Sequence, residues 1–97
     1  MRKVGEHKAR KGLIRFEIDE ERGIARSVKI SGDFFIYPEE AVEELEKSLE
    51  GREISKLEDA IDEFFKVNFE GEMPYITVED FKIALKNALR GEKNDEA

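Results

Sequence analysis

The spacing of apolar residues changes once along these 97 residues, and that change limits the fold more than any other feature. Up to Ser31 apolar side chains recur at every second position; from Pro38 onward they recur every three or four. Alternate residues of a strand point to opposite faces, whereas positions three and four apart share one face of a helix. In Leu13-Ile14-Arg15-Phe16-Glu17-Ile18-Asp19, the residues Ile14, Phe16 and Ile18 share a face and Arg15, Glu17 and Asp19 take the other. From Ile24 to Ser31 the alternation predicts Ile24, Val28 and Ile30 facing in with the stem of Arg26, opposite Ala25, Ser27, Lys29 and Ser31. Glu20-Glu21-Arg22-Gly23 is the turn between them, with Gly23 free to take a positive φ. A hairpin alone is marginal, so its apolar face needs a cover. Arg2–Arg10 either adds a third strand or stays a mobile arm.

The cover is read from the helical half. Pro38 suits a first helical position, Glu39 and Glu40 complement the helix dipole, and Gly51 supplies a stop. Ala41, Val42, Leu45 and Leu49 lie between them at helical spacing. Ser55-Lys56-Leu57-Glu58 matches a capping box ahead of Leu57, Ile61, Phe64 and Phe65. Thr77 is the expected cap of a third helix bearing Val78, Phe81, Leu85, Ala88 and Leu89 inward and ending at Gly91. Strands followed by helices predict an α+β fold, a small antiparallel sheet packed against about three helices. The expected organisation is a basic arm over residues 1–11, one domain over 12–91 and a polar tail over 92–97.

Charge and composition remove many functions. Seventeen Lys and Arg against twenty-four Asp and Glu give a net charge of −7, which disfavours nucleic acid. Residues 1–30 carry nine basic and five acidic side chains and the rest eight and nineteen, so the sign reverses near Gly32. The absence of Cys excludes disulfides, thiolate zinc sites and cysteine nucleophiles. No nucleophile–base pair can be assembled without His7, the only histidine. Charged residues make up 42% of the chain, Gln is absent and Asn occurs three times, a composition that points to a thermophile. No apolar run approaches a membrane span or a signal-peptide core, so the expected location is the cytoplasm.

Glu39, Glu40, Glu43, Glu44 and Glu46 read as a solvated helix face, because acid–base work needs an enclosed carboxylate. Asp59, Asp62 and Glu63 lack the spacing of a calcium loop, and no phosphate-binding fingerprint is present. The informative stretch is Ile30-Ser31-Gly32-Asp33-Phe34-Phe35-Ile36-Tyr37-Pro38. Gly32 permits a sharp backbone change, and Asp33 is placed to accept from nearby amides. Two adjacent Phe on extended backbone cannot face the same core. Either one is turned outward as a protein contact or both pack beneath neighbouring helices. In the basic arm, Arg2, Lys3, Lys8, Arg10 and Lys11 stand against Glu6 alone, either as a solvated tail or as cations approaching an anion.

The run Gly12-Leu13-Ile14-Arg15-Phe16-Glu17-Ile18, the turn, and Val28-Lys29-Ile30-Ser31-Gly32-Asp33-Phe34-Phe35 before a helix resemble the C-terminal accessory domain of lipoate–protein ligases. So do Leu45-Glu46-Lys47-Ser48-Leu49-Glu50-Gly51, Ile76-Thr77-Val78-Glu79-Asp80-Phe81 and Ala88-Leu89-Arg90-Gly91, which extends the likeness over residues 8–91. The family occurs fused behind a catalytic domain or, in some archaea, as a separate subunit, and a 97-residue chain starting with Met matches the second. The resemblance implies a fold similar to iron–sulfur scaffold and sulfur-transfer proteins, whose cysteine chemistry cannot carry over. It also implies a heterodimer with a catalytic subunit that binds ATP, magnesium and lipoate and holds the catalytic lysine, this chain binding no cofactor and being inactive alone. The accessory subunit would be needed for adenylation of lipoate before lipoyl transfer to a carrier lysine, meeting lipoyl carrier domains only indirectly. The expected partner-binding residues are Gly32, Asp33, Phe34 and Phe35. Relatives carry two lysines around a Pro/Gly-containing segment before the first strand; here the stretch is Lys8-Ala9-Arg10-Lys11-Gly12, so Lys8 and Lys11 are lesser candidates. The alternative is a protein-interaction adaptor unrelated to lipoylation.

Overall fold

The computed structural model describes residues 1–91. Strands β1 (Arg2–Ala9), β2 (Gly12–Glu21) and β3 (Ile24–Asp33) form one antiparallel sheet in the order β1-β2-β3. Helices α1 (Glu40–Leu49), α2 (Leu57–Glu63) and α3 (Val78–Leu89) follow. The architecture is the expected α+β one. Of the two alternatives for Arg2–Arg10, the strand is realised: residues 2–9 pair with β2 along their whole length, from Arg2↔Asp19 to Ala9↔Gly12. The segment read as an arm over 1–11 therefore contributes its strand to the sheet, while the tail over 92–97 lies outside the described residues.

Ile14, Phe16 and Ile18 of β2 are fully buried, as their alternation requires. In β3 the phase slips. Asp19 faces Ser27 but Glu20 faces Ala25, so Arg26 is an extra residue in the ladder. A bulge of this kind reverses the side chains beyond it. Ala25 is consequently buried and Arg26 is exposed, 3.5 Å from Glu21, the opposite of the expected arrangement. The turn itself spans Arg22 and Gly23, with φ of 55° and 80°, the mirror-image geometry that suits a two-residue hairpin.

The helices close over the inner face. Leu45 and Leu49 of α1, Leu57, Ala60 and Ile61 of α2, and Phe81, Ala84, Leu85 and Ala88 of α3 join the sheet residues in one core, and Ala41 of α1 is buried as well. Two helix starts differ from expectation. The backbone of Tyr37 exchanges hydrogen bonds of 2.8 Å in both directions with Glu72, which keeps it extended, so α1 begins at Glu40 and Pro38 stands outside it. Ser55 lies in a 3₁₀ turn, Ile54–Lys56, and a helical backbone cannot take the extended N-cap geometry; α2 has no side-chain cap. The Thr77 cap of α3 is formed. Its hydroxyl accepts from the Asp80 amide at 3.3 Å, and the Asp80 carboxylate accepts the Thr77 amide at 2.9 Å.

Side chains close both edges of the sheet. The amides of Val28 and Ile30 on β3 donate to the carboxylates of Glu50 at 3.2 Å and Glu46 at 2.7 Å. Glu46 is therefore not part of the solvated face. On β1, the mutual bonds of Met1 and Glu20 set the alternation that leaves the Glu6 carbonyl facing away from β2, and Asn87 Nδ2 donates to it at 2.7 Å. Unpaired strand edges invite pairing with other chains, and these bonds take two amides of β3 and one carbonyl of β1 out of that role.

Helix α3 reaches β1 more closely than side chains normally allow. A Cβ on Gly5 would stand 2.2 Å from the backbone nitrogen of Ala88. Beside this contact, His7 Nε2 lies 2.9 Å from Asp80 Oδ1, joining β1 to the first turn of α3. Burial pushes the Asp80 carboxyl up, but the hydrogen bonds from His7 and Thr77 outweigh it and hold the group below its usual range.

Replacing Gly5→Ala should therefore force α3 off the sheet, costing about 2–3 kcal/mol and lowering the melting temperature by roughly 10–20 °C in a circular dichroism melt. Because the Asp80 pKa is depressed by folding, its contribution is complete above about pH 4 and disappears as the pH falls through the folded value. Asp80→Asn should melt about 4–8 °C below the wild type at pH 7, and the difference should shrink as the pH falls through the folded value of Asp80. A gap that does not narrow on acidification would mean that the charge contributes nothing.

Candidate docking surface

Three segments meet at one end of the sheet. The β1–β2 turn holds Arg10 and Lys11, β3 leaves the sheet through Gly32–Phe35, and the loop before α3 carries Tyr75. The register brings the first two together, since Lys8 faces Leu13 and Leu13 faces Asp33 in one row on the outer face. Gly32 makes the exit possible. Its φ is 137°, and a Cβ there would lie 2.0 Å from the carbonyl oxygen of Leu13. Any other residue would push β3 away from β2 at this point.

Beyond Gly32 the two phenylalanines part. Phe34 is half-buried and meets Phe81 edge-on, with centroids 5.5 Å apart. Phe81 in turn packs on Phe65 at 5.3 Å, so Phe34 is continuous with the core. Phe35 is 71% exposed, Tyr37 71% and Tyr75 63%. The outward alternative for one Phe is thus realised. Asp33 is exposed, and among the described residues its carboxylate accepts no hydrogen bond, contrary to the turn-stabilising role expected of it.

Tyr75 had no place in the sequence reading. It has a φ of 72° and follows Pro74 in a turn, the third position of a type II turn where glycine is favoured. A side chain in this region costs about 1–2 kcal/mol. Lys11 Nζ stands 5.0 Å from the centre of the Tyr75 ring, a cation–π contact of about 0.5–1 kcal/mol at an exposed site. The usable signal was Pro74-Tyr75 itself, a proline followed by a bulky residue where a glycine belongs.

Arg10, Lys11, Tyr75, Ile76, Thr77 and Asp80 line an open cleft of about 640 Å³. Asp80 is engaged by His7 and by the Thr77 cap, and Arg10 and Lys11 outnumber it, so the cleft's balance of charge is basic. Lys8, Arg10 and Lys11 have no carboxylate partner among the described residues. The His7–Asp80 pair has no hydroxyl or thiol within hydrogen-bond reach of the other imidazole nitrogen among the described residues, so its evident role is to join β1 to α3. Among the described residues no group of three metal-ligating side chains occurs, and no helix is long and apolar enough to cross a membrane. What the surface offers is contact: the exposed Tyr75 ring beside the unpaired Lys11 and Arg10, at the end of the sheet from which Phe35 is turned outward.

The bacterial lipoate protein ligase C-terminus family matches residues 2–91. The chain is 40% identical over 80 residues to lipoate-protein ligase A subunit 2 of Thermoplasma acidophilum, a match covering 81% of this chain and 82% of that protein. A chain from the structural analysis of an archaeal lipoylation system, a bi-partite lipoate protein ligase and its E2 lipoyl domain from the same organism, superposes with a TM-score of 0.80 at 38% identity. That superposition covers 88% of this chain and 94% of the other. With its three-stranded sheet, its Ser31-Gly32-Asp33-Phe34-Phe35 exit and this continuous likeness, the chain belongs to the lipoate–protein ligase C-terminal family.

Proposed function

We infer that this chain is the accessory, non-catalytic subunit of a two-part lipoate–protein ligase. It docks on the catalytic subunit and is required for ATP-dependent adenylation of lipoate, before the lipoyl group passes to a lysine of a carrier protein. The observation that carries this reading is the 40% identity to a protein named as a second ligase subunit, over 82% of that protein's length. ATP, magnesium and lipoate belong to the catalytic subunit in this reading, and Gly32, Asp33, Phe34 and Phe35, with Lys8 and Lys11, form the contact. The geometry supports it: Phe34 is rooted on Phe81, Gly32 fixes the exit from β3, and Phe35 is held outward.

A subunit without chemistry of its own accelerates adenylation only if it binds the competent conformation of its partner better than the idle one. Raising a competent state from about 1% to a clear majority takes roughly 3–5 kcal/mol of differential affinity. Two or three buried anchor side chains supply that much, at about 2 kcal/mol or more each.

The test is pyrophosphate release from ATP and lipoate by the catalytic subunit of the same organism, with and without this chain. Release should require both proteins, while transfer from preformed lipoyl-adenylate should proceed without this one. Equal release in either case would overturn the assignment and favour the adaptor reading. Phe35→Ala with Asp33→Ala should raise the concentration for half-maximal stimulation roughly 30-fold or more. Both side chains are exposed, so the melting temperature should move by no more than a few degrees. Unchanged stimulation would remove these residues from the contact.

A further inference from the structure

We propose that Tyr75, clasped by Lys11, is a binding anchor for an acidic surface of the catalytic subunit, with Arg10 as its electrostatic border. The proposal rests on the docking reading above and identifies a residue and a partner chemistry that reading does not contain.

The backbone at Tyr75 favours glycine, with a φ of 72° after Pro74. A large side chain is usually retained in such a position when its burial compensates for the strain. Tyr75 is 63% exposed, so burial within this chain compensates little. The Lys11 ammonium over its ring offsets only part of the cost and itself remains exposed. The ring is therefore strained, exposed and pre-positioned at once. Tyrosine is also among the residues enriched at the energetic centres of protein interfaces, where a stiff ring loses little freedom on binding.

Charge identifies the partner surface. Lys11 stands over Tyr75 and Arg10 lines the same cleft, both without carboxylate partners among the described residues, while Lys8, likewise unpaired, lies on the outer face of the same sheet end in the row with Leu13 and Asp33. The chain as a whole carries −7. An acidic partner is repelled by most of this surface and attracted by this rim, which orients the approach as well as strengthening it. The cleft beside Tyr75 is about 640 Å³ and edged by Arg10 and Thr77, room for one or two carboxylate side chains of such a partner.

The experiment measures binding of the full chain and its variants to the catalytic subunit by calorimetry at low and moderate salt, with a melting curve of each variant. Tyr75→Gly removes the ring and relieves the backbone together. It should leave the melting temperature within a few degrees of wild type and weaken binding about tenfold or more. Arg10→Glu with Lys11→Glu should weaken binding by a similar factor at low salt and flatten its salt dependence. Wild-type affinity in Tyr75→Gly would overturn the anchor while leaving the docking reading intact. A melting temperature lowered by more than about 10 °C would show instead that the ring serves the fold. Salt-insensitive binding, or binding untouched by the charge reversals, would overturn the acidic partner surface. No binding by the wild-type chain would overturn the docking reading and the anchor together.

Discussion

The close approach of α3 to β1 at Gly5 and Ala88 is the contact on which the rest of the molecule depends. A third strand is what turns a marginal hairpin into a sheet, and β1 is held there by a helix from the other end of the sequence. Packing without a side chain on the strand brings backbone against backbone, and the helix then lies within reach of β1 along its length. His7 meets Asp80, and Asn87 meets the Glu6 carbonyl, at two further points between β1 and α3. The same helix supplies Phe81 to the aromatic cluster that supports Phe34. The turn bearing Lys11 and the loop bearing Tyr75 belong to the elements this contact joins.

Polar side chains here do structural work that a charge count conceals. Glu46 lies on an amphipathic helix and Glu50 directly follows it, yet their carboxylates accept the free amides of β3. Lys82 crosses from α3 to Asp62 at 3.0 Å, with Glu58 and Glu79 close by, and its ammonium pKa is raised by the Asp62 hydrogen bond. On the outer sheet face Arg15 lies between Glu6 at 2.7 Å and Glu17 at 3.1 Å. Hydrogen bonds from Arg15 lower the Glu17 pKa. Beside these paired acids and bases, the β1–β2 turn carries Arg10 and Lys11 without carboxylate partners among the described residues.

Strain and exposure coincide at that surface. Gly32 accepts a backbone shape that no other residue could adopt there, and Tyr75 occupies one that glycine would adopt more easily. The first case is a fold requirement: the strand must leave the sheet beneath the Leu13 carbonyl. The second is the reverse, a fold that would be served by a smaller residue. An accessory subunit acts by contact, and contact surfaces are where a fold can carry residues that do not serve its own stability.

The sequence by itself determined the types of β2, β3 and the helices, the buried faces of β2 and of the helices, the Thr77 cap and the family, because periodicity and capping are local and the Ser31-Gly32-Asp33-Phe34-Phe35 exit is specific. It also framed the choice at Phe34 and Phe35 correctly without deciding it. Only the tertiary structure decided that Arg2–Ala9 is a strand, since β1 has few apolar residues and is specified by the Gly5 approach to a distant helix. It likewise decided the Arg26 bulge, whose extra residue inverts the alternation, and the start of α1 after Pro38, which depends on the bridge from Tyr37 to Glu72. The Ser55 box failed for a related reason, as neighbouring hydrogen bonds had already turned its backbone helical. Tyr75 became visible only when its loop was placed against Lys11, because what marks it is a dihedral angle and a distance, and neither is written in the order of residues.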